Sequence, residues 1–293
     1  MSQRVPSVGP WLADPSSMPS RTLLVLPFLA ACVGNIQRSA RVPHPSVPLA
    51  SGQPLATQGE ASVGLSNVTD ITAPQVGDSS QAVEVPSTQL RSEARIRLNR
   101  RGQVALIYER GFASTSKQPD PNQAPVGRGD VAGYGMSFGY SFDTATPGLS
   151  IGTTLELMTW TVPWVEYTTC TNCLGQFTIE GHGRANAQTI GLGFAPSYRR
   201  GRVTLFGGVF IRNHPTTQRK ETQVDITFGD DGEVRNGPFN ALLHAGLEIE
   251  LDKRVAALVL VHQDLTASPV QYGPGIGVAL SARLGDTRVS GKP

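Results

Sequence analysis

The chain has 293 residues, enough for one large domain or two small ones. Charged residues make up 16% of it, 32 residues are glycine, and the net charge is +2. So small a charge excludes a global electrostatic pull toward nucleic acid or an anionic surface. Dilute charge with abundant glycine suits an all-β chain whose outer surface need not face water throughout.

Near the start, Met18-Pro19-Ser20-Arg21 precedes an apolar run from Leu23 to Ala31. A basic residue, a short apolar stretch and small residues before a break read as a secretory signal peptide over 1–31, too short to span a bilayer. Residues 1–17 contain Pro6, Pro10, Asp14 and Pro15 and fit no basic leader, so Met18 is the expected initiator. The ending Leu29-Ala30-Ala31-Cys32 resembles the lipobox of bacterial lipoproteins. That resemblance implies that the Cys32 thiol is acylated and that Cys32 becomes the new N-terminus. The other reading is an ordinary cleavable signal with an incidental cysteine. In that family an aspartate after the cysteine retains the protein in the inner membrane, and Val33 stands there instead. Residues 32–57, rich in Pro, Ser and Ala, then read as a lipid anchor and flexible tether.

From residue 58 the pattern is period two. Tyr134, Met136, Phe138, Tyr140 and Phe142 alternate with glycine and serine, and Ile276, Val278 and Leu280 alternate with Gly277, Ala279 and Ser281. Phe239, Ala241, Leu243, Ala245, Leu247, Ile249 and Leu251 do the same around Asn240, His244, Glu248 and Glu250. Strict alternation means strands with one apolar face. At 202–213 the pattern is less clean, because Phe206 and Phe210 interrupt the polar face.

Short connections fall at Asn99–Gly102, Asp143–Gly148, Arg199–Arg202 and Asp252–Arg254, and long polar stretches at about 113–129, 162–186, 214–237 and 267–273. An additional strand in GEASVGLSNV, followed by a long loop at about 68–87, brings the count to about ten and puts both ends on the short-turn side. Long strands, a small-residue second face and this short–long rhythm favour a closed antiparallel up-and-down transmembrane β-barrel over 58–284, with a tail at 285–293. The competing fold is a lipid-anchored periplasmic β-sandwich, with its apolar face turned inward. The pattern resembles small outer-membrane β-barrel proteins of Gram-negative bacteria. That likeness implies the outer membrane as location, short periplasmic turns, long outer loops and contact with outer-membrane lipids. It also allows a periplasmic or extracellular protein partner through the loops, with no nucleic acid and no cofactor.

Candidate chemistry is sparse. With a three-residue turn at Asp252–Arg254, His244 falls opposite His262, on the lumen face with Glu248, Glu250 and Asp264. Opposed residues have Cβ atoms about 5 Å apart. Two imidazoles so placed could share a metal or a proton, but the plainer reading is a lumen hydrogen-bond network. Cys170 and Cys173 read as a small-loop disulfide in an exported protein. A zinc site would need two more ligands, and His182 is the nearby candidate. Barrel hydrolases and acyltransferases exist, yet no acid–base arrangement of theirs is recognisable here, so the chain reads as non-enzymatic: a structural or loop-presenting surface protein, or a narrow pore. Basic residues crowd the short turns (Arg100, Arg101, Arg199, Arg200, Arg202, Lys253 and Arg254), and Trp160, Trp164 and Tyr167 look in part like an interfacial aromatic girdle, with Trp160 out of phase with the apolar face.

Overall fold

A computed structural model describes residues 35–69, 81–112, 129–169, 177–213, 218–220, 223–225, 239–266 and 273–285. Its strands in chain order begin with β1 (Asn35–Arg41), β2 (Gly59–Val68), β3 (Gln81–Glu84), β4 (Thr88–Arg97) and β5 (Gly102–Gly111). They continue with β6 (Val131–Asp143), β7 (Leu149–Thr169), β8 (Phe177–Arg200), β9 (Val203–Asn213), β10 (Gln218–Lys220) and β11 (Gln223–Asp225). The last are β12 (Phe239–Glu250), β13 (Val255–Asp264) and β14 (Gly275–Leu284).

Ten of these close into an antiparallel barrel in the order β2-β4-β5-β6-β7-β8-β9-β12-β13-β14. The first and last strands join through ten facing pairs, from Gly275↔Val68 to Leu284↔Gly59. The sandwich alternative therefore falls, because no sheet edge is left within the ring. The additional strand occupies Gly59–Val68, where the strand count required one.

Alternation decides which face each residue takes. Leu106, Tyr134, Leu192, Leu243, Val259 and Leu280 all lie on the outer surface, each 46–64% exposed. Their neighbours Ala105, Glu109, Leu242, Leu258 and Leu260 point into the lumen and are buried. An outer wall so apolar cannot rest in water without a large hydrophobic penalty. Lysine at Val259, halfway along β13, is expected to cost about 2–4 kcal/mol in lipid, read as a lowered urea midpoint in vesicles. In an aqueous setting the same substitution would be neutral.

The short turns are built locally. At the β12–β13 turn, Asp252 accepts hydrogen bonds from the backbone N–H groups of Arg254 and Val255 (2.8 Å to Val255), which hold its carboxyl below the usual range. Asn99 caps the β4–β5 turn through Arg101 N (2.9 Å) and Gly102 N (2.7 Å).

Two features depart from the sequence reading. The loop expected at 162–186 is largely strand: β7 and β8 run on as a hairpin beyond Thr161, where pairing with β6 ends. On its free side this hairpin pairs with β1, from Ala40↔Trp164 to Asn35↔Thr169, and β3 adds in parallel to β1. Trp160 consequently points inward and is fully buried, while Tyr167 is buried and Trp164 packs on the buried cluster beneath β1. No girdle forms from these three.

The second departure concerns the tether. Residues 42–57 do not hang free; they run down the inside of the barrel from β1 at the long-loop mouth to Gly59 at the short-turn mouth. Val42, Val47, Leu49 and Leu55 are each no more than 6% exposed. Proline explains why such a segment can sit where no strand pairs with it. Pro43, Pro45, Pro48 and Pro54 have no N–H to satisfy and favour extended backbone. At about 3.1 Å per residue, this stretch is long enough for a hydrocarbon core of about 30 Å.

Candidate functional site

The lumen is where polar side chains converge, and it is built around the threaded segment. Along β4, Gln89, Arg91, Glu93 and Arg95 occupy successive inward positions, and β5, β7 and β9 contribute Glu109, Glu156 and Arg212 from their inward faces. All seven are buried.

Near the long-loop mouth, Arg41 pairs with Glu84 (2.8 Å) and donates to the carbonyl of Gly129. One turn of chain further in, His44 Nε2 meets Ser66 Oγ at 3.4 Å. The central layer is ionic. Arg91 binds Glu93 (2.6 Å), Glu156 (2.6 Å) and Glu109. Arg212 lies 3.4 Å from Glu156, and its guanidinium sits over the Trp160 ring at 5.4 Å, which adds a cation–π contact. Trp160 Nε1 in turn donates to Thr189 (3.0 Å). Ser46 of the segment donates to Glu109 (2.8 Å), so the thread is part of the network.

Below this layer the wall satisfies the segment's backbone. Leu49 N–H donates to Glu93 (3.0 Å), and Arg95 donates to the Leu49 carbonyl (3.1 Å) while also pairing with Glu60. Ser141 donates to the carbonyl of Gly52 (2.9 Å), Gln53 donates to Ser197 Oγ (3.0 Å), and Arg97 donates to the Leu55 carbonyl (3.3 Å). At the short-turn mouth Arg283 binds Glu248 (2.9 Å) and Glu250 (2.7 Å), and Arg199 also reaches Glu250 (2.6 Å).

Apolar contacts complete the fit. Val47 and Leu49 pack with Phe206, Phe210, Leu242, Leu258, Leu260 and Ala279 in one buried cluster. This accounts for the two phenylalanines that break the polar face of β9: they meet the segment, not water. Gly52 has φ +76° and lies against Gly152, where an added Cβ would come within 2.5 Å of Gly52 Cα. Valine at Gly152 is expected to push the segment off the wall at a cost of about 1–3 kcal/mol. Faster proteolysis within residues 42–57 of the variant would report it; an unchanged digestion pattern would deny the contact. Beside the segment remain voids of about 20 and 10 Å³, each room for about one water molecule.

The residues singled out in the sequence are distributed along this lumen. His244 and His262 do face each other in register. His244 lies near Phe206 (6.3 Å between centroids), and His262 covers Gly275. Glu248 and Glu250 belong to the Arg283 cluster at the short-turn mouth. Asp264 lies toward the long-loop mouth and accepts from Asn240 (2.8 Å) and Thr266 (2.6 Å). The five residues thus share a face without forming one cluster. Among the described residues, no group of three or more His, Cys, Asp or Glu is placed to hold a metal ion. Cys32, Cys170 and Cys173 lie outside the described residues.

Sequence reasoning missed the Arg91–Glu109–Glu156–Arg212 layer and the threaded segment. A signal for the first was present. Gln89, Arg91, Glu93 and Arg95 alternate with Leu90, Ser92, Ala94 and Ile96, and charges at every second position on a barrel strand must pair inside.

No family model matches the chain, and no curated protein matches it. Among solved structures it is similar to an outer membrane channel from Pseudomonas putida F1, at 12% identity and TM-score 0.42, over 81% of this chain and 99% of that one. It is also similar to the translocator domain of the autotransporter NalP from Neisseria meningitidis, at 11% identity and TM-score 0.39, covering 78% and 89%. The N-terminal β-barrel domain of OprF from Pseudomonas aeruginosa aligns at 10% identity and TM-score 0.31, covering 77% and 98%. The barrel assignment itself rests on the ring of strand pairs in this chain.

Proposed function

We propose that the chain is a bacterial outer-membrane β-barrel lipoprotein with a non-enzymatic role. It is a structural, loop-presenting surface protein whose narrow lumen is shut by its own N-terminal segment. The observation that carries this reading is the pairing of a continuous apolar outer wall with a lumen filled by residues 42–57. An outer wall of that kind calls for lipid. Backbone groups in lipid need internal partners, which a closed ring of strands supplies. The short turns then face the periplasm and the long connections the outside. Acylation of Cys32 rests on the lipobox-like ending alone, and Cys170–Cys173 as a disulfide of an outer loop rests on their spacing in an exported chain.

The test is fractionation followed by gel electrophoresis in SDS with and without boiling. The protein is expected in the outer-membrane fraction, migrating differently until heated. Recovery in the soluble periplasm of Cys32→Ser cells, with no heat-dependent shift, would overturn the reading.

A further inference from the structure

The direction in which the chain enters its barrel has a consequence for the membrane. β1 lies at the long-loop mouth, paired with the hairpin extension of β7 up to Asn35↔Thr169. Contacts then descend in order: Ser46 with Glu109, Leu49 with Glu93, Gly52 with Ser141, and Leu55 with Arg97. Only after Thr57 does the chain turn into β2 at the short-turn mouth. Chain order therefore runs from outside to inside before the first barrel strand begins.

We propose that the chain threads its own barrel, so that the mature N-terminus, with the acyl group on Cys32, emerges on the outer side of the membrane instead of the periplasmic side. This rests on the lipoprotein reading above. Three peptide steps separate Cys32 from Asn35, a reach of about 10 Å. The periplasmic leaflet lies across a hydrocarbon core of about 30 Å. A return through the lumen is blocked by the segment already there, and the two voids described beside it hold about one water each. A return through lipid would strand backbone N–H and C=O groups without partners. The acyl chain accordingly faces the outer leaflet, and the segment that looks like a tether is a transmembrane thread. The hydrogen bonds at Ser46, Leu49 and Gly52 are then what keeps the thread from sliding, since each fixes one level of the chain against the wall.

Two readouts on the full-length protein test this. A short epitope inserted between Gly34 and Asn35 is expected to bind antibody on intact cells, while the same epitope in the Lys253 turn binds only after permeabilisation. Metabolic labelling with an alkyne fatty acid is expected to mark the protein and to vanish in Cys32→Ser. Heat-shifted migration of each variant confirms that the barrel has folded. An epitope at Gly34 that needs permeabilisation, with acyl label present, overturns the thread and leaves the lipoprotein reading standing. Surface binding without any acyl label overturns the lipid and leaves the thread.

Discussion

Replacing Arg91 with alanine is expected to lower the stability of the folded barrel by about 3–5 kcal/mol. The side chain is 3% exposed and holds Glu93, Glu109 and Glu156, which are themselves 0–3% exposed. Without it, the three buried carboxylates keep as cationic partners Arg212, 3.4 Å from Glu156 and 3.8 Å from Glu109, and Arg95, 3.9 Å from Glu93, beside the neutral donors Ser46, Gln89 and Leu49 N–H. The cost comes from stranded charge more than from the lost attraction, because a buried ion pair is worth little relative to apolar residues of the same shape. Arg91→Met combined with Glu93→Gln is therefore expected to recover part of the loss. Arg101→Ala provides the contrast. Its pair with Asp143 is about half exposed on both sides, and such pairs contribute about 0–1 kcal/mol. Urea titrations in lipid vesicles compare the three. Equal midpoints for Arg91→Ala and Arg101→Ala would mean that the central layer is wet and not part of a filled lumen.

The second large effect concerns passage of ions. The full-length protein is expected to be silent in a planar bilayer, and a variant lacking residues 35–57 is expected to conduct. Removing that stretch takes away the side chains of Val47 and Leu49 and the hydroxyl of Ser46. It leaves Arg91, Arg95 and Arg212 lining open space beside Glu93, Glu109 and Glu156. A ten-stranded ring is wider than the eight-stranded barrels that side chains alone fill, so the wall residues are not expected to close the gap. Steady currents through the full-length protein would contradict the plug. Silence from both would mean that the wall collapses inward once the segment is gone.

Much of the barrel was legible because a period of two is a local property. Tyr134 to Phe142 and Phe239 to Leu251 announce their outward faces one residue at a time, and short turns such as Asp252–Arg254 fix register through backbone hydrogen bonds close in sequence. The pairing of His244 with His262 follows from that turn by counting. Which way each ring leans does not follow, because Phe206 and Gly275 come from strands on opposite sides of the hairpin.

The threaded segment was illegible for a related reason. Pro43, Pro45, Pro48 and Pro54 give the same extended backbone in a solvated tether and in a dry lumen. What separates the two is who accepts and donates to that backbone, and those partners, Glu93, Arg95 and Ser141, lie 44, 46 and 89 residues away. For Trp160 the surroundings were illegible on the same account. Its position in β7 is inward by phase, and only Arg212 and Thr189, on other strands, explain a buried indole there.

On the proposed reading the apolar face lies in lipid and its partner face lines a filled lumen. Nitroxides placed one at a time at residues 241–247 of β12 in vesicles test it most directly. Collision with oxygen dissolved in lipid is expected to peak at 241, 243, 245 and 247 and to fall at 242, 244 and 246, with a water-soluble relaxing agent reaching neither set. Strong collision of the odd positions with the water-soluble agent, and no two-residue period with oxygen, would contradict the account.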